Sequence, residues 1–398
     1  MSLQAILSLI ERHERWRVNE CINLVASENI TSAAVRKVLG SDLGHRYGGE
    51  YYTGTKFLNK IVDTATNLAR QLFKANYANL RPLSGHIADL IVLSCFKKNE
   101  KILILPRQIG GYRLEGIANV LGLQVLYLPF NPDEREVDVE QAKAIIFKEE
   151  PACVFLAMSA PLFPYPVAEL SEACHQVGST FVYDASHVLG LVAGGKFQDP
   201  LREGADILCG STHKSFFGPQ GALIVTGEKY GEMIEPMTHD IKGVIASPHY
   251  NRIAALGIAL AETHAFGREY AEQVVKNAKA LAKGLDERGI LPTYSERGRA
   301  RGYTEAHICL ITRIGERAIT REDGLKIGKQ LEKANLIGGS RLGVSEVTRW
   351  GMKENEMDRI AEFVSRVIVN KEDPEQVRLD VIRLKRGFAT LKYCFEDI

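Results

Sequence analysis

The chain contains Phe181-Val182-Tyr183-Asp184-Ala185-Ser186-His187-Val188-Leu189-Gly190 and, further on, Ala205-Asp206-Ile207-Leu208-Cys209-Gly210-Ser211-Thr212-His213-Lys214. Each segment is a short apolar run that stops at an ionisable group, Asp184 in the first and Lys214 in the second. Gly218-Pro219-Gln220-Gly221 then turns into a third run, Ala222-Leu223-Ile224-Val225. Buried strands that end on ionisable groups are how open α/β sheets present their ligand sites.

A lysine at a buried strand end is costly unless its desolvation has a use. Burial lowers the pKa of such an amine, and a neutral amine is a nucleophile that forms a Schiff base with a carbonyl. An aspartate ending the neighbouring strand is the partner that a protonated pyridine nitrogen requires. Lys with Asp is therefore the pairing that pyridoxal phosphate (PLP) chemistry uses. His187, three residues after Asp184, and His213, beside Lys214, flank this pair, where a neutral imidazole can steady a carboxylate or a cofactor oxygen.

Working outward, the chain from Lys101 alternates strand and helix. Strands are expected at Ile102–Leu105, Gln124–Leu128 and Ala152–Met158, and helices at Gly111–Leu121, Val139–Phe147 and Val167–Val177. That alternation implies βαβ units and a mainly parallel sheet covered on both faces. Ser159 follows the third strand, again at a carboxyl-terminal edge. Upstream, Arg81-Pro82-Leu83-Ser84-Gly85-His86 precedes a helix-like run over Ile87–Phe96. A hydroxyl and a glycine at a helix start, with free N–H groups, make a seat for a phosphate.

Gly44-His45-Arg46-Tyr47-Gly48-Gly49-Glu50-Tyr51-Tyr52-Thr53-Gly54 has no hydrophobic period, and its tyrosines and carboxylate suit a binding loop. Leu3, Ile6, Leu9, Ile10 and His13 fall at helical spacing, giving an amphipathic N-terminal arm over residues 1–22. Long helices are expected at Pro248–Phe266 and Glu269–Arg288. A C-terminal lobe follows, with one strand at Ile308–Arg313 and helices at Arg321–Ala334, Glu354–Val369 and Glu375–Tyr393. The division expected is an arm (1–22), a large domain (23–268) and a small α+β domain (269–398).

The 398 residues carry 50 basic and 49 acidic side chains, and no basic cluster argues for a nucleic-acid partner. The seven cysteines show no paired CxxC spacing, so no metal site is expected. No signal peptide and no apolar run near the roughly 18 residues of a membrane span is present, which points to a cytoplasmic protein.

Asp184–Ala193 together with Ser211–Ser215, and Leu24-Val25-Ala26-Ser27-Glu28-Asn29-Ile30-Thr31-Ser32 near the N-terminus, closely resemble the serine hydroxymethyltransferase family. The resemblance runs from Ile22 to the C-terminus. It implies an α/β PLP-dependent transferase fold (type I), with PLP bound by Lys214, Ser84, Gly85, Tyr112, Ser159, Asp184, His187, Ser211, His213 and Tyr47. The family has a histidine at the place of Tyr112, and a phenol ring also stacks by offset contact. The resemblance further implies that Ser27, Tyr52 and Arg341 bind the amino acid, with Arg341 forking onto its carboxylate. Glu50 lies one position from the family's proton-shuttling glutamate, in a loop that is shorter here. A homodimer with its site at the subunit interface is also implied.

This chain departs from the family in three further places. Gly243-Val244-Ile245-Ala246-Ser247 replaces a glycine-rich run, and Gln220 replaces an arginine. Leu336-Ile337-Gly338-Gly339-Ser340 is a shortened form of the loop that touches the folate. Three functions stay open at this point: a serine hydroxymethyltransferase using a tetrahydropterin, a pterin-independent aldolase or transaldolase, and an inactive scaffold.

Overall fold

A computed structural model describes residues 3–49, 52–238, 243–293 and 295–395. The chain divides into two compact units, one of Met1–Asn29 with Glu272–Lys392 and the other of Ile30–Ala271 with Tyr393–Ile398. Residues 1–22, read above as an arm, fall in the first of these.

The second unit is built on a 7-stranded sheet. In chain order its strands are β1 (Tyr77–Asn79), β2 (Lys101–Ile104), β3 (Gln124–Tyr127), β4 (Cys153–Ala157), β5 (Thr180–Asp184), β6 (Ile207–Ser211) and β7 (Ala222–Thr226). Their order across the sheet is β1-β7-β6-β5-β4-β2-β3. Every pairing from β6 to β3 is parallel, and β7 runs antiparallel to both of its neighbours. The runs that form β4 to β7 are almost wholly apolar because both faces are covered. Val154, Phe155, Val182, Ile207 and Ile224 are each 0% exposed. Burying each such side chain contributes roughly 1.5–3 kcal/mol.

Helix α2 (Gly85–Leu93; α1 is introduced below) covers the sheet beside β6 and β7. Ser84 caps it, its hydroxyl accepting the Ile87 N–H at 3.3 Å, and the apolar run Ile91-Val92-Leu93 is fully buried. The helices expected after β2, β3 and β4 are present at Leu114–Leu121, Val139–Glu149 and Val167–Gln176.

Three readings of the later chain are corrected. The helices expected at Pro248–Phe266 and Glu269–Arg288 are one continuous helix, α3 (Tyr250–Asp286). Gly267 does not break it. The helix backbone there lies close to Gly194, on which an added Cβ would strike the Gly267 carbonyl. The other unit has more strand than the single one expected. Ile308–Leu310 pairs antiparallel with Arg341–Gly343, Ile22–Asn23 pairs parallel with Leu336–Ile337, and a small 3-stranded sheet adds to these. These strands are two or three residues long, too short to leave a periodic signal. Helices Arg321–Lys333, Glu354–Ile368 and Pro374–Arg386 complete it, the last stopping before Gly387 rather than running to Tyr393. The N-terminal helix α1 (Leu3–Glu14) buries none of its side chains.

Candidate active site

The carboxyl ends of β4, β5 and β6 gather most of the residues singled out from sequence. Asp184 is the last residue of β5 and stands in register with Cys209 of β6. Its Oδ1 accepts the Ser186 N–H at 2.7 Å, so a tight turn holds the carboxyl at the strand end. The Ser186 hydroxyl accepts the Ser211 N–H at 2.9 Å, which ties the ends of the two strands together. His187 follows, 7% exposed.

Lys214 lies three residues beyond β6, half-buried, in the connection to β7. That connection is fastened from inside. Thr212 N–H donates to the Gly221 carbonyl at 3.0 Å, Thr212 Oγ1 donates to the Pro219 carbonyl at 2.7 Å, and Gly218 N–H returns to the Thr212 carbonyl at 2.8 Å. Tyr270 clamps the next residue, its hydroxyl donating to the Ser215 carbonyl at 2.9 Å.

These groups lie close enough to feel one another's charge. Burial pushes Asp184 above the usual carboxylate range, while the Lys214 charge and the Ser186 hydrogen bonds pull it back. Burial and the neighbouring Lys214 charge depress His213 to about 4, so its ring is neutral at ordinary pH. Tyr112 is pushed up to about 12, first by burial and then by the neighbouring Asp89 and Asp184 carboxyl groups, so its phenol keeps its proton. Its position is set by its N–H donating to the Ala157 carbonyl at 3.0 Å at the end of β4. Ser159 sits beside it, its N–H donating to the Gly110 carbonyl at 2.9 Å.

The N-terminus of α2 enters the same pocket. A Cβ on Gly85 would collide with the Ser211 hydroxyl and lie 3.1 Å from the Ser186 hydroxyl, so a side chain there displaces the Ser211 hydroxyl. A helix start with its first N–H groups free, hydroxyls of Ser84, Ser186 and Ser211 nearby, a buried carboxyl and a lysine is a donor set that fits PLP. The buried Nδ1 of His213, which has no hydrogen-bond partner among the described residues, is a further polar atom left for a ligand.

Ser27 and Arg341 belong to the other unit. Arg341 opens the strand Arg341–Gly343, and Val25 is bridged antiparallel to Leu342, so the segments carrying Ser27 and Arg341 run side by side. Gly343 is pressed against Ala26, and the His307 ring nitrogen Nε2 meets the Ala26 carbonyl at 3.0 Å. Burial pulls the Arg341 guanidinium below its ordinary pKa. Tyr47 and Tyr52 are placed at the surface, 55% and 48% exposed, with their rings stacked at 5.2 Å. Glu50 lies outside the described residues.

Residues 4–364 match the family described as serine hydroxymethyltransferase. The chain belongs to that family. It is 39% identical to the serine hydroxymethyltransferase of Staphylothermus marinus over 99% of this chain and 93% of the relative. It is 40% identical to that of Methanocaldococcus jannaschii over 98% of this chain and 94% of the relative. Among solved structures it resembles an L-threonine transaldolase from Pseudomonas fluorescens, with a TM-score of 0.88 and 27% identity, covering 99% of this chain and 93% of that one. The protein is accordingly a PLP-dependent enzyme of the transferase and aldolase kind, with the α/β fold its family implies.

Sequence reading missed Asp89 and Ser186. Ser186 stood inside the quoted stretch but carried no charge to mark it. Asp89 did leave a signal, since it is the one acidic residue in the apolar helix Gly-His-Ile-Ala-Asp-Leu-Ile-Val-Leu.

Proposed function

We propose that this enzyme breaks and forms the Cα–Cβ bond of a β-hydroxy amino acid as a serine hydroxymethyltransferase. Serine and a tetrahydropterin would give glycine and the methylene-tetrahydropterin. The observation that carries this reading is the placing of Asp184 and Lys214 at adjacent strand ends, in a pocket closed by the start of α2.

PLP, when bound, supplies an electron-accepting ring that stabilises negative charge at Cα. Ser84, Gly85 and Ser211 would hold its phosphate, Asp184 would pair with its ring nitrogen, and Tyr112, Ser159, His187 and His213 would be its further contacts. Lys214 would be the amine that holds it, and would exchange a proton with the substrate. Neutral His213 accepts a hydrogen bond without adding a charge that would compete with Lys214. Arg341 and Ser27 orient the substrate carboxylate, and Glu50 or Tyr52 takes the proton of the β-hydroxyl.

A homodimer is supported by two exposed features. Helix α1 presents Leu3, Ile6, Leu9 and Ile10 to solvent, and the Tyr47–Tyr52 stack is unburied. We infer that both meet a second copy, the tyrosines at its cofactor pocket. A transaldolase is the second reading, supported by the solved neighbour and by the short Gly338-Gly339-Ser340 connection before Arg341.

The test is the absorption spectrum of the full chain with PLP, then with glycine, then with glycine and a tetrahydropterin. A yellow band lost in Lys214→Ala is expected, followed by a long-wavelength band that grows strongly only with the pterin. If glycine alone gives that band and the pterin leaves it unchanged, the transaldolase reading replaces the first. A colourless protein in every sample would refute both.

A further inference from the structure

Asp89 sits in α2, five residues after the Ser84 cap, and is 1% exposed. Its Oδ1 accepts the Cys209 thiol at 3.5 Å, and its Oδ2 has no hydrogen-bond partner among the described residues. Cys209 is the register partner of Asp184, and ligand atoms of Asp89, Asp184 and Cys209 all lie within 4.8 Å of one another. Two carboxyl groups thus lie close together at the end of β5, Asp89 buried and Asp184 partly so.

The two are not equivalent. Asp184 is steadied in its charged form by the Ser186 N–H, whereas Asp89 has only a thiol, a weak donor. Among the groups that face them, Lys214 supplies the cation. Cys209 and Tyr112 are both pushed towards their neutral forms by burial and by the carboxyls themselves. Two carboxylates this close in a low-dielectric site repel strongly, so one proton stays bound, on the member with the poorer support. Burial and the Asp184 charge both raise Asp89 well above the usual carboxylate range.

We propose that Asp89 is a neutral carboxylic acid at working pH, a positioning residue that keeps the pocket under Asp184 at a single negative charge. This rests, for its catalytic meaning, on the reading that Asp184 meets the ring nitrogen of PLP. With Asp89 protonated, Asp184 has one cationic partner and Lys214 has one anionic neighbour. An ionised Asp89 would add a second anion that favours the ammonium form of Lys214, the form that is not a nucleophile.

The experiment compares the full-length wild-type protein with Asp89→Asn, with and without PLP, by infrared difference spectroscopy of the carboxyl stretch and by unfolding as a function of pH. A protonated-carboxyl band at neutral pH, absent from the variant, is expected in both cofactor states. The folded wild type keeps a proton that its unfolded chain releases above the ordinary aspartate pKa. The variant's folding equilibrium should therefore gain on wild type up to tenfold per pH unit from that point upward. If Asp89→Asn fails to fold, Asp89→Leu gives the same comparison with an apolar neutral side chain. No protonated band in wild type, or parallel pH profiles, would overturn the proposal. So would stoichiometric Zn2+ binding to wild type that Asp89→Asn loses, because a bound cation needs the carboxyls ionised. A protein that shows the carboxyl band but no yellow band with PLP would instead fail the cofactor reading alone.

Discussion

The Ser211 N–H donates to the Ser186 hydroxyl at 2.9 Å, and Gly85 of α2 rests against both serines with no room for a side chain. Strand ends and helix start are therefore locked to one another at the point proposed above for the phosphate. Gly85→Ala forces its methyl into the Ser211 hydroxyl. Overpacking of this kind costs about 1–3 kcal/mol. PLP affinity is expected to fall about tenfold or more while the protein still folds, as read by absorbance titration and circular dichroism. Unchanged affinity would place the phosphate elsewhere.

His213 sets a second expectation, for acid. Its folded pKa is lowered from 6.5 to about 4, so between those values the unfolded chain binds a proton that the folded chain does not. Stability from this group is present above that window and is lost as pH falls through it. The whole loss is at most about 3 kcal/mol, and less because the ring is partly exposed. Urea unfolding of wild type and His213→Gln between these pH values should show the two curves converging in acid. Curves that stay parallel would mean that the ring is protonated in the folded protein.

Arg341→Lys tests the substrate end. A lysine keeps the charge but loses the planar fork, so KM for serine should rise roughly 10- to 100-fold. PLP binding should stay unchanged, because Arg341 is assigned to the amino acid and not to the cofactor. A variant with normal KM would remove Arg341 from the carboxylate.

The N-terminal helix offers a fourth measurement. Ile6 and Leu9 are 52% and 57% exposed on α1, which buries none of its own side chains. Replacing both by glutamate should weaken self-association roughly 100-fold or more, since each buried side chain of this size is worth about 1.5–3 kcal/mol. Sedimentation velocity would show the change, and a species of unaltered mass would exclude this helix from the interface.

Much of the candidate site was legible because the residues proposed for it stand in unusual company. Asp184 and Lys214 each end an apolar run, and the structure puts those runs side by side as β5 and β6. Ser84 and Gly85 announced a helix start, and α2 begins there. What stayed hidden depends on tertiary contact. The helix runs unbroken through Gly267, and the close approach of Gly194 to its backbone there is visible only in the fold. The paired segments at Val25 and Leu342 are too short to carry a period, and they join residues far apart in the chain. Asp89 was visible as an odd acid in an apolar helix, but its proximity to Asp184 required the fold.

The antiparallel strand β7 has a bearing on endurance. It returns directly from the lysine loop to pair with β6 on one side and β1 on the other, so the loop is anchored at both ends within the most buried sheet. Amide protons on β6 and β7 should exchange with solvent only when the whole unit unfolds, because fluctuations that open surface segments leave such strands paired. Lys214, mounted between them, is expected to keep its position for as long as the protein is folded. The slow clock of global unfolding, rather than the fast one of loop motion, then governs how long each molecule stays competent.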